Sequence, residues 1–424
     1  MPDEPQPPAL VRDPATAISY GALGAYAFWL YAFGPAVALL RTELGFSYAV
    51  VGIYSAAWSA GATAASASFA AVVGRTGRWR LLWGSAAATT AGAVLFMAVR
   101  DVAWTLVGAA MLGTAGTAMQ LTIQAVLSDR HGERRGQALV EANIGAGACA
   151  VLAPLALGGL AATAAGWRTA MVVPAVMLAA LFCASRRDRG WREREREREH
   201  WHQRQRRRPE TGRGLRRRRA GRRLPAVCWV LCFLVGVGIA VEFCVVYFGA
   251  ELLAARTELS PAAAATAMTA FYAGMLVGRV AGARIVREPG RSVATLWGSV
   301  ALAVGGLVVV MTAPNSVTGV AGLFLGGLGV ANLFPLSVAL ALGAAGRGTD
   351  TANGLSQVIG GVLVAVAPFL LGALADTVGL TGAFAIAPAL ALACGALLLA
   401  STLVGRQTSA RRTGGRPPYG TQTE

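Results

Sequence analysis

The sequence predicts an all-α membrane protein: twelve transmembrane helices arranged as two parallel six-helix repeats. Three observations carry that prediction. Of the 424 residues, 55% are hydrophobic and only 14% charged, whereas a soluble globule carries about 25% charged residues. Runs of about 20 apolar residues, enough helix to cross about 30 Å of hydrocarbon, recur twelve times, and no alternating barrel-strand pattern accompanies them. The halves also repeat at a spacing of 214 residues: Trp83-Gly84-Ser85 returns as Trp297-Gly298-Ser299, Gly113 as Gly327, Gly147 as Gly361, Pro154 as Pro368 and Gly158 as Gly372. One residue further along, Arg41-Thr42-Glu43-Leu44 returns as Arg256-Thr257-Glu258-Leu259. Six is an even number of crossings, so the second copy enters the membrane in the same sense as the first, about an axis along the membrane normal.

Residues 1–16 form an N-terminal tail, acidic and Pro-rich, without the basic stretch and apolar run of a cleaved signal peptide. The first bundle, 17–185, holds apolar runs near 17–40, 49–73, 81–99, 103–127, 137–162 and 167–184. A linker covers 186–224. The second bundle, 225–405, holds runs near 226–252, 262–285, 293–312, 317–343, 352–374 and 380–404, and a tail covers 406–424.

The linker carries 18 arginines and six acids between Arg186 and Arg223, which no bilayer core could hold. Its stretch WREREREREH sets like charges at i,i+4, so a lone helix gains little there and the segment reads as a solvated tether. Nucleic-acid binding is the alternative for such a run, but its place between two membrane-length blocks points to anionic lipid headgroups, at about 1 kcal/mol per charge. Retention of Arg on the cytoplasmic side then orients the chain. Loops on the linker's side carry Arg75, Arg78, Arg80, Arg130, Arg134, Arg135, Arg284, Arg287, Arg291 and Arg347, against Arg41, Arg100, Arg168 and Arg256 opposite. Both termini are therefore expected in the cytoplasm, with the protein in the cell membrane. All 38 basic residues are Arg and none is Lys, a composition that points to a GC-rich bacterial genome.

Soluble chemistry finds no support. The six cysteines all fall in apolar runs, the three histidines all fall in loops, and a chain without Lys has no phosphate-binding G-x-x-x-x-G-K-[ST]. We expect no enzyme activity, no cofactor, no metal and a monomer.

Between spans 2 and 3 the chain reads Ala70-Ala71-Val72-Val73-Gly74-Arg75-Thr76-Gly77-Arg78-Trp79. This resembles the signature G-x-x-x-D-R-x-G-R-R of major facilitator superfamily transporters through Arg75, Gly77 and Arg78, while Ala70, Gly74 and Trp79 depart from it. The second copy keeps Gly282, Arg287, Gly290 and Arg291, with Val286 at the Asp position. Over its whole length the chain resembles that family. The resemblance implies a cavity between the halves, lined by the first, fourth, seventh and tenth spans. It also implies transport of a small organic solute by alternating access, coupled to protons. A membrane sensor or receptor built on a transporter scaffold is the alternative.

Polar groups inside the bilayer are costly and mark function. Glu242, about 4 Å past the centre of span 7, is the first candidate for substrate or proton coupling, with Tyr247 a turn further out. Its repeat partner Phe28 lies in a span that also offers Tyr26, Trp29 and Tyr31. The resulting cavity, aromatic on one side and acidic on the other, suits an amphipathic or cationic solute. Thr114, Thr117, Gln120 and Gln124 form a polar stripe on span 4, and Asn332 lies near mid-depth of span 10. Each has a structural alternative, hydrogen bonding between helices. Ser55, Ser59 and Ser66 are read as packing positions. Glu141 and Arg279, about 13 Å and 8 Å cytoplasmic of their span centres, are expected to pair when the cytoplasmic side closes, or else to snorkel.

Overall fold

The computed structural model describes residues 12–187, 224–286 and 291–413. Among them, twelve helices are long and apolar enough to cross a membrane: spans 1–6 are Pro14–Leu44, Tyr48–Thr76, Arg78–Ala98, Val102–His131, Arg135–Ala161 and Trp167–Arg186. Spans 7–12 are Ala226–Arg256, Pro261–Ile285, Arg291–Met311, Ser316–Ala345, Thr351–Val378 and Leu380–Val404. Most of the chain lies in these helices. Residues 188–223, both distal tails, Arg287 and Gly290 lie outside the described residues.

Several helices overrun their apolar runs because polar caps satisfy backbone N–H groups that the helix leaves free. Asp13 accepts from the Thr16 N–H at 3.0 Å with Pro14 in the first turn, Asp101 accepts from Ala103 and Trp104, and Ser260 caps the helix begun by Pro261. Span 4 ends at Gly132 (φ 49°) and span 10 at its repeat counterpart Gly346 (φ 56°), a left-handed backbone that favours glycine. Span 10 is broken, Ser316–Val330 then Leu333–Ala345.

Twelve crossings place the ends of the first and last spans on one face, here the near face; the other is the far face. Packing follows the repeat. Span 3 packs on 4 as 9 packs on 10, span 1 on 5 as 7 on 11, and the seam between halves is made twice, by 5 against 8 and 11 against 2. Close approach at that seam needs glycine. A Cβ on Gly158 would come 2.5 Å from the Ala262 carbonyl oxygen, and one on Gly372 2.2 Å from that of Tyr48. All four positions obey the 214-residue spacing. Ser55 and Ser59 fasten the same seam, donating to the Val364 and Gly361 carbonyls at 2.9 and 2.6 Å.

The halves meet on the far side and part on the near side. At the far ends Arg41 faces Glu251 at 3.3 Å, and the Asp376 carboxylate accepts from the Tyr48 and Ala49 N–H groups at the start of span 2, at 2.8 and 2.9 Å. Toward the near face Ser66, Ala67 and Ser68 of span 2 and Asn353, Gly354, Gln357 and Val358 of span 11 are exposed.

Candidate functional site

A cleft of about 340 Å³ runs along the seam between spans 5 and 8. Tyr31 and Tyr272 close its inner end at mid-depth, with ring centroids 5.0 Å apart and the Tyr272 hydroxyl donating to the Tyr31 carbonyl at 3.2 Å. Span 5 turns Val140, Asn143, Ile144 and Gly147 toward it, the one-face spacing of a helix, and span 8 turns Leu276, Arg279, Val280 and Ala283.

Three charged or phenolic groups converge at that end. Glu242, at the midpoint of span 7 and 8% exposed, and Arg279 both lie close enough to the Tyr31 side chain to act on it electrostatically. Among the described residues, none of the five ion pairs includes Glu242 or Arg279, so their attraction acts beyond direct ion-pair distance. Span 1 belongs to one half and spans 7 and 8 to the other, so a change at any of the three acts on the joint between them.

Of the expected site residues, Glu242 and Tyr31 thus come together at mid-depth. Glu242 is buried and does not line the cleft. Tyr247 is 2% exposed, wedged beside Phe33 and Phe243 and close to Ser55 across the seam. Trp29 is fully buried and turned into its own bundle, where its indole donates to the Met171 carbonyl at 2.9 Å. Aromatic type alone could not tell which side of span 1 it occupies. Asn332, at the break in span 10, donates to the Gly278 carbonyl at 2.9 Å and so ties span 10 to span 8 one residue from Arg279. Gln120 and Gln124 are half-buried on the stripe whose Thr117 lies close to Tyr26 of span 1.

With the near side open, the arrangement in which the expected Glu141–Arg279 pair is apart, no ion pair joins the two residues. Glu141 accepts two hydrogen bonds from Arg12, at 2.8 and 2.9 Å, and others from Gln137 and Tyr20. Spans 5 and 8 do face each other, but Glu141 is turned about 100° from Val140, toward the start of span 1. The site residues the sequence reading missed are Tyr272 and the partnership of Arg279 with Tyr31 and Glu242. Arg279 lies about 9 Å to the near side of the centre of span 8, within reach of mid-depth for an extended arginine directed inward. Considering that direction as well as the snorkelling one would have found it.

In the inner-loop motif Gly77 takes φ 75° and Arg78 bonds Asp129 at 2.5 Å, joining the start of span 3 to the end of span 4. Arg75 is exposed, and Arg291 begins span 9.

Two six-helix repeats around a mid-depth polar cluster, closed at one face and open at the other, define a polytopic transport protein. The family model of the Major Facilitator Superfamily matches residues 19–253. The structure is similar to a bacterial homolog of the human lysosomal transporter Spinster in an inward-facing and occupied conformation (TM-score 0.70, 13% identity, 92% of this chain and 96% of that one). It is also similar to a peptide transporter, POT, in complex with sulfate (0.69, 15%, 92% and 95%) and to the nucleoside transporter NupG (0.67, 11%, 92% and 98%). No curated protein sequence gives a significant match. The chain belongs to the Major Facilitator Superfamily and is a secondary transporter with twelve membrane spans, in a family that is generally non-enzymatic.

Proposed function

We propose that this transporter moves a small organic solute across the cell membrane by alternating access, coupled to protons, with its near face in the cytoplasm. One observation carries the reading: Tyr31, Glu242 and Arg279, drawn from both halves, meet where the open cleft ends. A proton on Glu242 removes the negative charge that balances Arg279, and so changes what the guanidinium binds. Reciprocally, a solute that engages Arg279 changes the affinity of Glu242 for a proton. The arginines of the near-face loops support the orientation.

The experiment uses the full chain. A thermal-shift screen against sugars, carboxylates, amino acids and organic cations selects ligands, whose uptake into proteoliposomes is then followed with and without an imposed pH gradient. Accumulation that a protonophore collapses is the expected result; uptake indifferent to the gradient would overturn proton coupling. In intact cells an impermeant thiol reagent should label Pro314→Cys on the far face and spare Thr76→Cys on the near face. The opposite labelling would reverse the orientation.

A further inference from the structure

The cleft walls are unequal in chemistry. Span 8 contributes two cations, Arg279 near the closed end and Arg284 near the mouth, and no carboxylate is among the lining residues. Glu242 acts on Arg279 electrostatically without an ion pair to it and does not line the cleft, while Arg279 is exposed and does line it. The facing wall on span 5 is apolar apart from Asn143, with Val140 59% and Ile144 56% exposed, and Leu276 and Val280 of span 8 extend the apolar surface beside Arg279. A volume of about 340 Å³ corresponds to about eleven water-sized groups at ~30 Å³ each.

We propose that the cleft binds an amphipathic organic anion, its anionic head on Arg279 and its hydrocarbon body along Val140, Ile144 and Leu276. This deepens the transporter reading and rests on it. An arginine fork matches the oxygens of a carboxylate, sulfonate or phosphate in a way that a point charge does not. A cationic solute would instead meet Arg279 and Arg284, with the Glu242 carboxylate not among the lining residues. Anion binding also satisfies Arg279 in place of Glu242, so it favours a proton on Glu242. The head and the proton therefore travel together.

Permanently charged probes separate head from tail and keep probe titration out of the result. Equilibrium binding is measured on the full chain in lipid nanodiscs, with empty discs subtracted. Octanesulfonate should bind at least tenfold more tightly than octyltrimethylammonium, which tests the charge, and than methanesulfonate, which tests the tail. Its affinity should rise as pH falls, and Glu242→Gln should flatten that dependence. Arg279→Gln should abolish the preference for the anion while Arg279→Lys retains part of it, and Ile144→Asn should weaken octanesulfonate but not methanesulfonate. A preference for the cation, absence of sulfonate binding, or unchanged octanesulfonate binding in a folded Arg279→Gln variant would overturn the proposal. Should Arg279→Gln fail to fold, the three probes on the unmodified chain still decide. Proton-driven uptake of a cation or a sugar would sink this inference and leave the transporter reading standing. Tight octanesulfonate binding with no transport would do the reverse.

Discussion

Arg12 grips the Glu141 carboxylate with two hydrogen bonds, from Nε at 2.9 Å and Nη2 at 2.8 Å, and so ties the chain two residues before the first helix to the near end of span 5. Beside it Asp13 is bonded to Arg130 at the end of span 4, and the Thr16 hydroxyl meets His131 Nε2 at 2.9 Å. These contacts clasp spans 1, 4 and 5 together on the near face, within one half of the molecule.

The clasp makes Glu141 a residue of bundle cohesion. Arg12→Glu and Glu141→Arg should each lower the melting temperature slightly, and the double variant should recover the loss. Combining Glu141→Arg with Arg279→Glu should recover neither stability nor transport. Rescue by that second combination would show that Glu141 works across the seam after all.

Acid should loosen the same clasp. Partial desolvation pushes the Asp13 carboxyl up, but hydrogen bonds from Arg130 and Thr16 more than offset it, and its pKa falls below the usual aspartate value. A depressed folded-state value contributes stability that is complete above the ordinary value and is lost as pH falls through the folded one. Asp13→Asn should therefore melt earlier at neutral pH, yet lose less melting temperature than the unmodified chain between about pH 5 and 3. Equal acid sensitivity in the two proteins would remove Asp13 from this account.

At mid-depth, Glu242→Gln keeps the shape and removes the titration. Proton-driven accumulation should be lost, while exchange of solute across the membrane survives in a variant that folds and melts normally. Uphill transport with an unchanged pH profile would show that the carboxyl does not couple protons.

The far face is held by Arg41 over the Tyr48 ring at 3.7 Å and facing Glu251, by Asp376 on the first N–H groups of span 2, and by Gly372 against the Tyr48 carbonyl. Removing one partner of a mostly buried ion pair leaves an uncompensated charge. Arg41→Met and Gly372→Ala should both disfavour the far-closed arrangement. Spin labels at Arg100→Cys and Pro314→Cys, one in each half, should report a larger population of long distances in either background. An unchanged distance distribution would mean that these contacts do not gate the far side.

Much of this architecture is legible in the chain. Twelve apolar runs, the arginine asymmetry and the 214-residue repeat follow from composition and period alone, because a bilayer permits few alternatives to a helix of fixed length. The repeat even identifies glycines that later prove to be contacts, as at Gly158 and Gly372. Glu242 also stands out unaided, since a carboxyl at mid-depth is costly wherever its helix turns.

Partnership was not legible, because it depends on how each helix is rotated and which rotamer each side chain takes. A rotation of about 100° separates Val140, which lines the cleft, from Glu141, which is bonded to Arg12. Trp29 and Tyr31 lie two residues apart in one helix, yet one bonds inside its bundle and the other meets the opposite half. Arg279 reaches inward to Tyr31 and Glu242 rather than outward to headgroups, a choice that only the packed neighbours decide. The sequence by itself determined how many helices cross, in which sense, and which costly residues they carry. The tertiary structure alone decided which of those residues meet, because helical periodicity fixes their spacing and leaves their azimuth to packing.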